Sequence, residues 1–209
     1  MLSISQLKDK ALEQLKGNWT EPVLATLVYV VIVGVLAGMQ EIPKIGNLIY
    51  LVIALLFFPV YGAGYVIAML TFFRGDKNNL ISKLFDPLKN EYGRYLGTML
   101  LVAVYTFLWT LLFIIPGIIK SLSYAMTVYI LKDNPEMNNN EAIELSMKMM
   151  DGYKWKLFVL QLSFIGWALL GILTLGIGYL WLFPYIQTTM AAFYEVRKDD
   201  FIANNTVVE

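Results

Sequence analysis

Asp, Glu, Lys and Arg are absent from four long stretches, 22–40, 45–73, 95–119 and 157–194, which run to 19, 29, 25 and 38 residues. A bilayer's hydrocarbon core is crossed by about 20 apolar residues in helical form. The pattern predicts an all-α, polytopic membrane protein forming a single membrane domain over 1–209. Ahead of the first apolar stretch the pattern changes. Lys8, Asp9, Lys10, Glu13, Lys16 and Glu21 interrupt residues 1–21, so these lack the apolar centre of a cleavable signal. They read instead as an amphipathic helix over 3–17. Ser3-x-x-Gln6 forms a capping box, Ile4, Leu7, Ala11, Leu12 and Leu15 share one face, and Gly17 is the stop. Such a helix is expected to lie at the membrane surface.

The number of spans follows from the charges, because 95–131 and 157–194 each read as one helix or two. With four spans, 120–156 lies outside, and ten of the sixteen Lys and Arg remain inside. With hairpins turning at Pro116-Gly117 and at 174–178, the inside count rises to fourteen. The positive-inside rule therefore favours about six spans, at 22–39, 48–73, 95–115, 118–131, 156–173 and 178–196, with both termini cytoplasmic. Residues 74–94 and 132–155 are then cytoplasmic, and the outer loops are 40–47, the Pro116-Gly117 corner and 174–178. The fourth span is short: 14 residues cover about 21 Å, so it must be packed in protein, tilt little, or be partly re-entrant. Within 132–155, Asn138-x-x-Glu141 starts a second amphipathic surface helix carrying Ala142, Ile143, Leu145, Met147, Met149 and Met150.

The three hairpins resemble one another. Each second helix has a proline, then small and aromatic residues, then an exit with a cation and an Asp: Pro59 to Arg74 and Asp76, Pro116 to Lys132 and Asp133, Pro184 to Lys198 and Asp199. Accumulation of Trp, Tyr and Lys at membrane interfaces explains part of that likeness.

Composition agrees with the pattern, at 58% apolar residues and mean hydropathy +0.60. A net charge of +0 supplies no basic field for nucleic acid. With no Cys and no His, the chain has no disulfide, Cys/His zinc site, thiol nucleophile or imidazole base. No cofactor, metal or catalytic set is expected, and the chain does not read as an enzyme.

The run Ile115-Pro-Gly-Ile-Ile-Lys120-Ser-Leu-Ser-Tyr-Ala-Met126 is followed by Tyr129-Ile-Leu-Lys-Asp-Asn-Pro135, Lys154-Trp-Lys-Leu-Phe158, Leu162-Ser-Phe-Ile-Gly-Trp167, Pro184-Tyr-Ile-Gln-Thr188 and Ala192-Phe-Tyr-Glu195. Together these resemble the bacterial membrane proteins grouped as domain of unknown function 975. The likeness runs from the Leu7–Gly17 helix to Glu195 and is densest over 113–195. A more distant similarity is to the membrane-anchoring domain fused to some glycerophosphodiester phosphodiesterases, which is not their catalytic part. The resemblance implies a bacterial plasma-membrane protein that crosses the membrane several times; it carries over no active site.

Candidate chemistry is sparse. Lys120 is the one ionisable residue inside the spans, where a lysine is costly unless it snorkels or binds an anion. Gln187, Thr188 and Thr189 follow Pro184 by three to five residues, as Lys120 and Ser121 follow Pro116 by four and five. Lys120, Ser121, Gln187 and Thr188 are thus the candidate ligand or lipid head-group patch. Pro59 and Pro184 read as structural kinks, and Gly34-x-x-x-Gly38 as a site of close helix packing. Gly62-Ala-Gly64 is no dinucleotide loop. The sequons at Asn18 and Asn204, and Arg74-Gly-Asp76, carry no function on the cytoplasmic side. Asp133, Glu136, Glu141 and Glu144 match no calcium loop. The reading is a non-catalytic scaffold, anchor or regulatory module; the alternative is a small transporter, channel or lipid-binding protein using the polar patch. Expected partners are membrane lipids, with another membrane or cytoplasmic protein or a second copy of the chain left open.

Overall fold

The computed structural model describes residues 2–42 and 46–206, without the side chains of 205 and 206. Residues 43–45 of the predicted outer loop 40–47 lie outside the described residues. Among those described the chain is all-helical. Helix α1 (Ile4–Leu15) leads to α2 (Thr20–Ala37), which ends in a 3₁₀ turn at Gly38–Glu41; α3 (Gly46–Leu56) and α4 (Phe58–Phe73) follow. Two short helices, α5 (Leu80–Lys83) and α6 (Asp86–Lys89), precede α7 (Tyr92–Leu112), α8 (Ile114–Tyr124) and α9 (Thr127–Asp133). The chain then forms α10 (Asn139–Met149), α11 (Lys154–Leu162), α12 (Ile165–Leu173) and α13 (Tyr179–Thr206).

Four helical runs among the described residues are long and apolar enough to cross a bilayer: Thr20–Glu41, Tyr92–Leu112, Ile114–Asp133 and Lys154–Leu173. A fifth forms if α3 and α4, bent by 43°, count as one span. Pro59 lies at that bend, where its missing N–H and its ring interrupt the helical ladder. The apolar surface is broad: Phe113 is 75% exposed, Leu173 79% and Leu175 95%. Soluble monomers rarely expose apolar patches of more than a few hundred Å². These helices are therefore compatible with a membrane location.

Helix α13 lies at the centre, against α1, α2, α4 and α12. Its polar residues Thr188 and Thr189 are buried among these neighbours rather than turned outward. Polar groups in a membrane bundle are placed this way, facing protein.

Helix α1 starts on the Ser3/Gln6 capping box: Ser3 Oγ accepts the Gln6 N–H at 3.2 Å, and Gln6 Oε1 accepts the Ser3 N–H at 2.8 Å. Its apolar face is covered by protein, with Leu7, Ala11 and Leu15 buried and α13 its main neighbour. Helix α10 has its own capping box at Asn138 and Glu141, and buries Ala142, Ile143, Ser146 and Met149 against α7, α8 and α9. Both amphipathic faces expected at a membrane surface are thus filled from within the chain, because breaks in the apolar helices leave room and unpaired backbone groups for them.

The breaks are specific. Between α8 and α9 the Met126 N–H donates to Ser146 Oγ (3.2 Å), and Ser146 donates on to the Ser123 carbonyl (2.7 Å). Between α11 and α12 the Ser163 carbonyl accepts from Lys8 Nζ (3.0 Å), whose ammonium also lies 4.2 Å from the Phe164 ring centroid. A side chain inserted into the helical ladder is a recognised cause of a break, and backbone freed in an apolar span has to be paired within protein. Burial lowers the Lys8 pKa below 10.5. The α7–α8 corner turns on Phe113 alone, with Gly117 against Thr110; a Cβ on Gly117 would come within 2.2 Å of Thr110 Oγ1.

Candidate functional site

The four residues of the expected polar patch do not form one hydrogen-bonded group. The half-buried Lys120 ammonium lies 4.7 Å from the Trp109 ring centroid and 3.9 Å from Met147 Sδ. Ser121 is exposed, and its hydroxyl donates to the Ile118 carbonyl at 2.8 Å. On α13, Gln187 is half-buried, and the Thr188 hydroxyl is buried without a hydrogen-bond partner. Among the described residues no hydrogen bond or ion pair joins Lys120 or Ser121 to Gln187 or Thr188.

The densest polar constellation sits instead where α4 and α9 end beside residues 194–198, midway along α13. Arg74 grips Asp133 with both terminal nitrogens (2.7 and 2.8 Å), and its Nε donates to Glu195 at 2.6 Å. Asp133 Oδ2 also accepts from Lys198 Nζ (2.6 Å) and the Tyr194 hydroxyl (2.8 Å). A planar guanidinium suits this fork, which a lysine could not reproduce. The Asp133 side chain is 9% exposed and that of Arg74 36%, so the pairing is partly screened. The hub is the arginine of Arg74-Gly-Asp76, a tripeptide its motif had given no role. The signal for it was the repeated cation and acid at the hairpin exits. The third member of that tripeptide, Asp76, turns to Lys83, whose hydrogen bond lowers its pKa.

Other arginines close helix ends. Arg94 donates to the Met137, Leu131 and Asn134 carbonyls and pairs with Glu91. Arg197 donates through Nε to the Met149 carbonyl at 2.7 Å, with its guanidinium 4.0 Å from the Tyr153 ring. Cations near helix C-termini satisfy the last carbonyls. Among the described residues no three carboxylates are grouped to hold a metal ion.

Two cavities complete the picture. An apolar one of about 400 Å³ lies between α1 and the α12–α13 hairpin, lined by Leu12, Trp19, Trp167, Leu170, Gly171, Thr174, Gly178, Trp181, Leu182 and Tyr185. A polar one of about 300 Å³ is lined by Ile67, Asp86, Pro87, Asn90, Glu91, Tyr95 and Lys132.

A family model described as "Protein of unknown function (DUF975)" matches residues 1–123 and 111–199. The chain belongs to that family. This DUF975 chain matches no curated protein and no solved structure. Membership therefore brings DUF975 relatives but no assigned chemistry, and the geometry above has to carry the functional reading.

Proposed function

We propose that the chain is a multi-span module of the bacterial plasma membrane, with both termini cytoplasmic, that scaffolds, anchors or regulates other proteins and is not an enzyme. The observation that supports this reading is the Arg74 clamp, which ties the ends of α4 and α9 to the middle of α13 through Asp133, Glu195, Lys198 and Tyr194. Charges paired with one another in this way brace a surface. Scrambling α10 would not test the idea, since Ser146 holds the α8–α9 break. Its exposed charges outside the capping box would: Glu144→Ala with Lys148→Ala is expected to keep the fold and lose an in-cell crosslink to a partner. A crosslink pattern unchanged at both positions and at the Arg74 clamp counts against scaffolding.

A second reading, lipid binding, is favoured by the 400 Å³ apolar cavity more than by the Lys120 patch. Native mass spectrometry of protein in mild detergent is expected to show a retained lipid that Leu170→Trp, which fills the cavity, expels. Retention of that mass by Leu170→Trp and its loss from Lys120→Ala would return the site to the patch.

A further inference from the structure

A hairpin that crosses the membrane puts its turn in water on the far side, about 30 Å from the helices at its entrance. The α11–α13 hairpin does not have that geometry. Leu12 and Trp19, which belong to the charged amino-terminal segment, line the same cavity as Thr174 and Gly178 of the turn. Asp9, Lys10, Glu13 and Lys16 of that segment are exposed and need water or head groups. Lys8 bonds the Ser163 carbonyl, only twelve residues before Leu175, which is about 18 Å of helix. Trp167 and Trp181, at the same cavity as Trp19, lie eight and six residues from Leu175, about 12 and 9 Å. Tryptophans gather at the interface, so one interfacial level passes through this cavity and the turn lies well short of a full crossing beyond it.

The turn itself is built for a medium without water. Leu173, Leu175 and Ile177 are all exposed there. Every N–H from Thr174 to Leu180 is donated within the hairpin: six go to backbone carbonyls at 3.0–3.3 Å, and that of Gly178 goes to Thr174 Oγ1 at 2.8 Å. The Thr174 hydroxyl donates to the Gly171 carbonyl and the Tyr179 hydroxyl to the Ala168 carbonyl. Helix-closing turns pair some of these donors in water as well, but hydrocarbon demands that all of them be paired internally, as they are here.

We propose that the turn 174–178 stops inside the bilayer, so that the α11–α13 hairpin is a re-entrant element whose partner is the acyl chains of the leaflet on the α1 side. Both helices still enter and leave by one face, so the termini stay together. The proposal rests on the membrane location put forward above, and the test separates the two.

The chain has no cysteine, so single thiols report cleanly. Leu175→Cys and, separately, Ile177→Cys are exposed to a membrane-impermeant maleimide in right-side-out and in inside-out vesicles, with Glu41→Cys and Glu144→Cys as the outer and inner references. The expected result is no labelling of either turn thiol from either side, full labelling after detergent is added, and labelling of each reference from its own side. Labelling of either turn thiol from either side in intact vesicles overturns the proposal while leaving the membrane location standing. Release of the protein from the membrane by an alkaline carbonate wash overturns the membrane location itself.

Discussion

Replacing Ser146 by alanine isolates the wedge between α8 and α9. The hydroxyl is buried, accepts the Met126 N–H at 3.2 Å and donates to the Ser123 carbonyl at 2.7 Å. Alanine fits the same space, so packing is nearly unchanged and the loss is polar. Met126 lies between the two helices and has no helical acceptor for its N–H, so the donor is left buried and unpaired. That costs about 1–3 kcal/mol. For a chain of 209 residues this corresponds to a fall in Tm of roughly 2–12 °C. The assay is thermal unfolding in one detergent, with Ser121→Ala as reference because its hydroxyl is exposed and serves only the Ile118 carbonyl. If Ser146→Ala melts together with Ser121→Ala, the account of the break is refuted.

Asp133→Asn removes the charge shared by Arg74 and Lys198 and is expected to cost about 2 kcal/mol, less than the 3–5 of a fully buried pair, because Arg74 is 36% exposed; combined with Arg74→Ala it should cost less than the sum of the two, as a double-mutant cycle of unfolding would register. Gly117→Ala forces a Cβ against Thr110 and is expected to destabilise by about 1–3 kcal/mol, with Thr110→Ala restoring only part because the Thr110 Cα also lies 3.0 Å from that Cβ; equal melting of Gly117→Ala and wild type would contradict this close approach. Burial lowers the Lys8 pKa, so the folded chain releases this proton before the unfolded one does, and the Lys8 contribution to stability rises as pH climbs toward 10.5. Lys8→Met should therefore lack that alkaline gain relative to wild type, read as the difference between two Tm-against-pH curves; parallel curves would show that Lys8 is not desolvated.

The helical class, the long apolar runs and both capping boxes were legible because each is written within a few consecutive residues. The breaks were not. Neither 125–126 nor 163–164 contains Pro or Gly, and the side chains that pair them come from Ser146, twenty residues on from Met126, and Lys8, 155 residues before Ser163. Amphipathicity in 3–17 and 139–150 identified the buried faces but not what buries them, since protein and membrane surface select the same apolar stripe. Equal spacing from a proline placed Lys120 and Gln187 at like positions on their own helices. It could not give the rotation of one helix about another, and so it aligned residues that share no hydrogen bond. The repeated cation and acid at the hairpin exits came nearer, because the ends of α4 and α9 bring Arg74 and Asp133 together whatever the rotation, beside Lys198 of α13.

The contacts of α1 with the α11–α12 break and with α13 also set a timetable for biosynthesis. Lys8 waits for an acceptor 155 residues downstream. At about 5–20 residues per second that delay is roughly 8–30 s. Throughout it, Leu7, Ala11 and Leu15 have no α13 to cover them, and an amphipathic helix in that condition rests on the nearest lipid surface. The nascent chain would thus pass through the surface-bound helix that its first seventeen residues describe, and give it up only when the carboxy-terminal helix arrives.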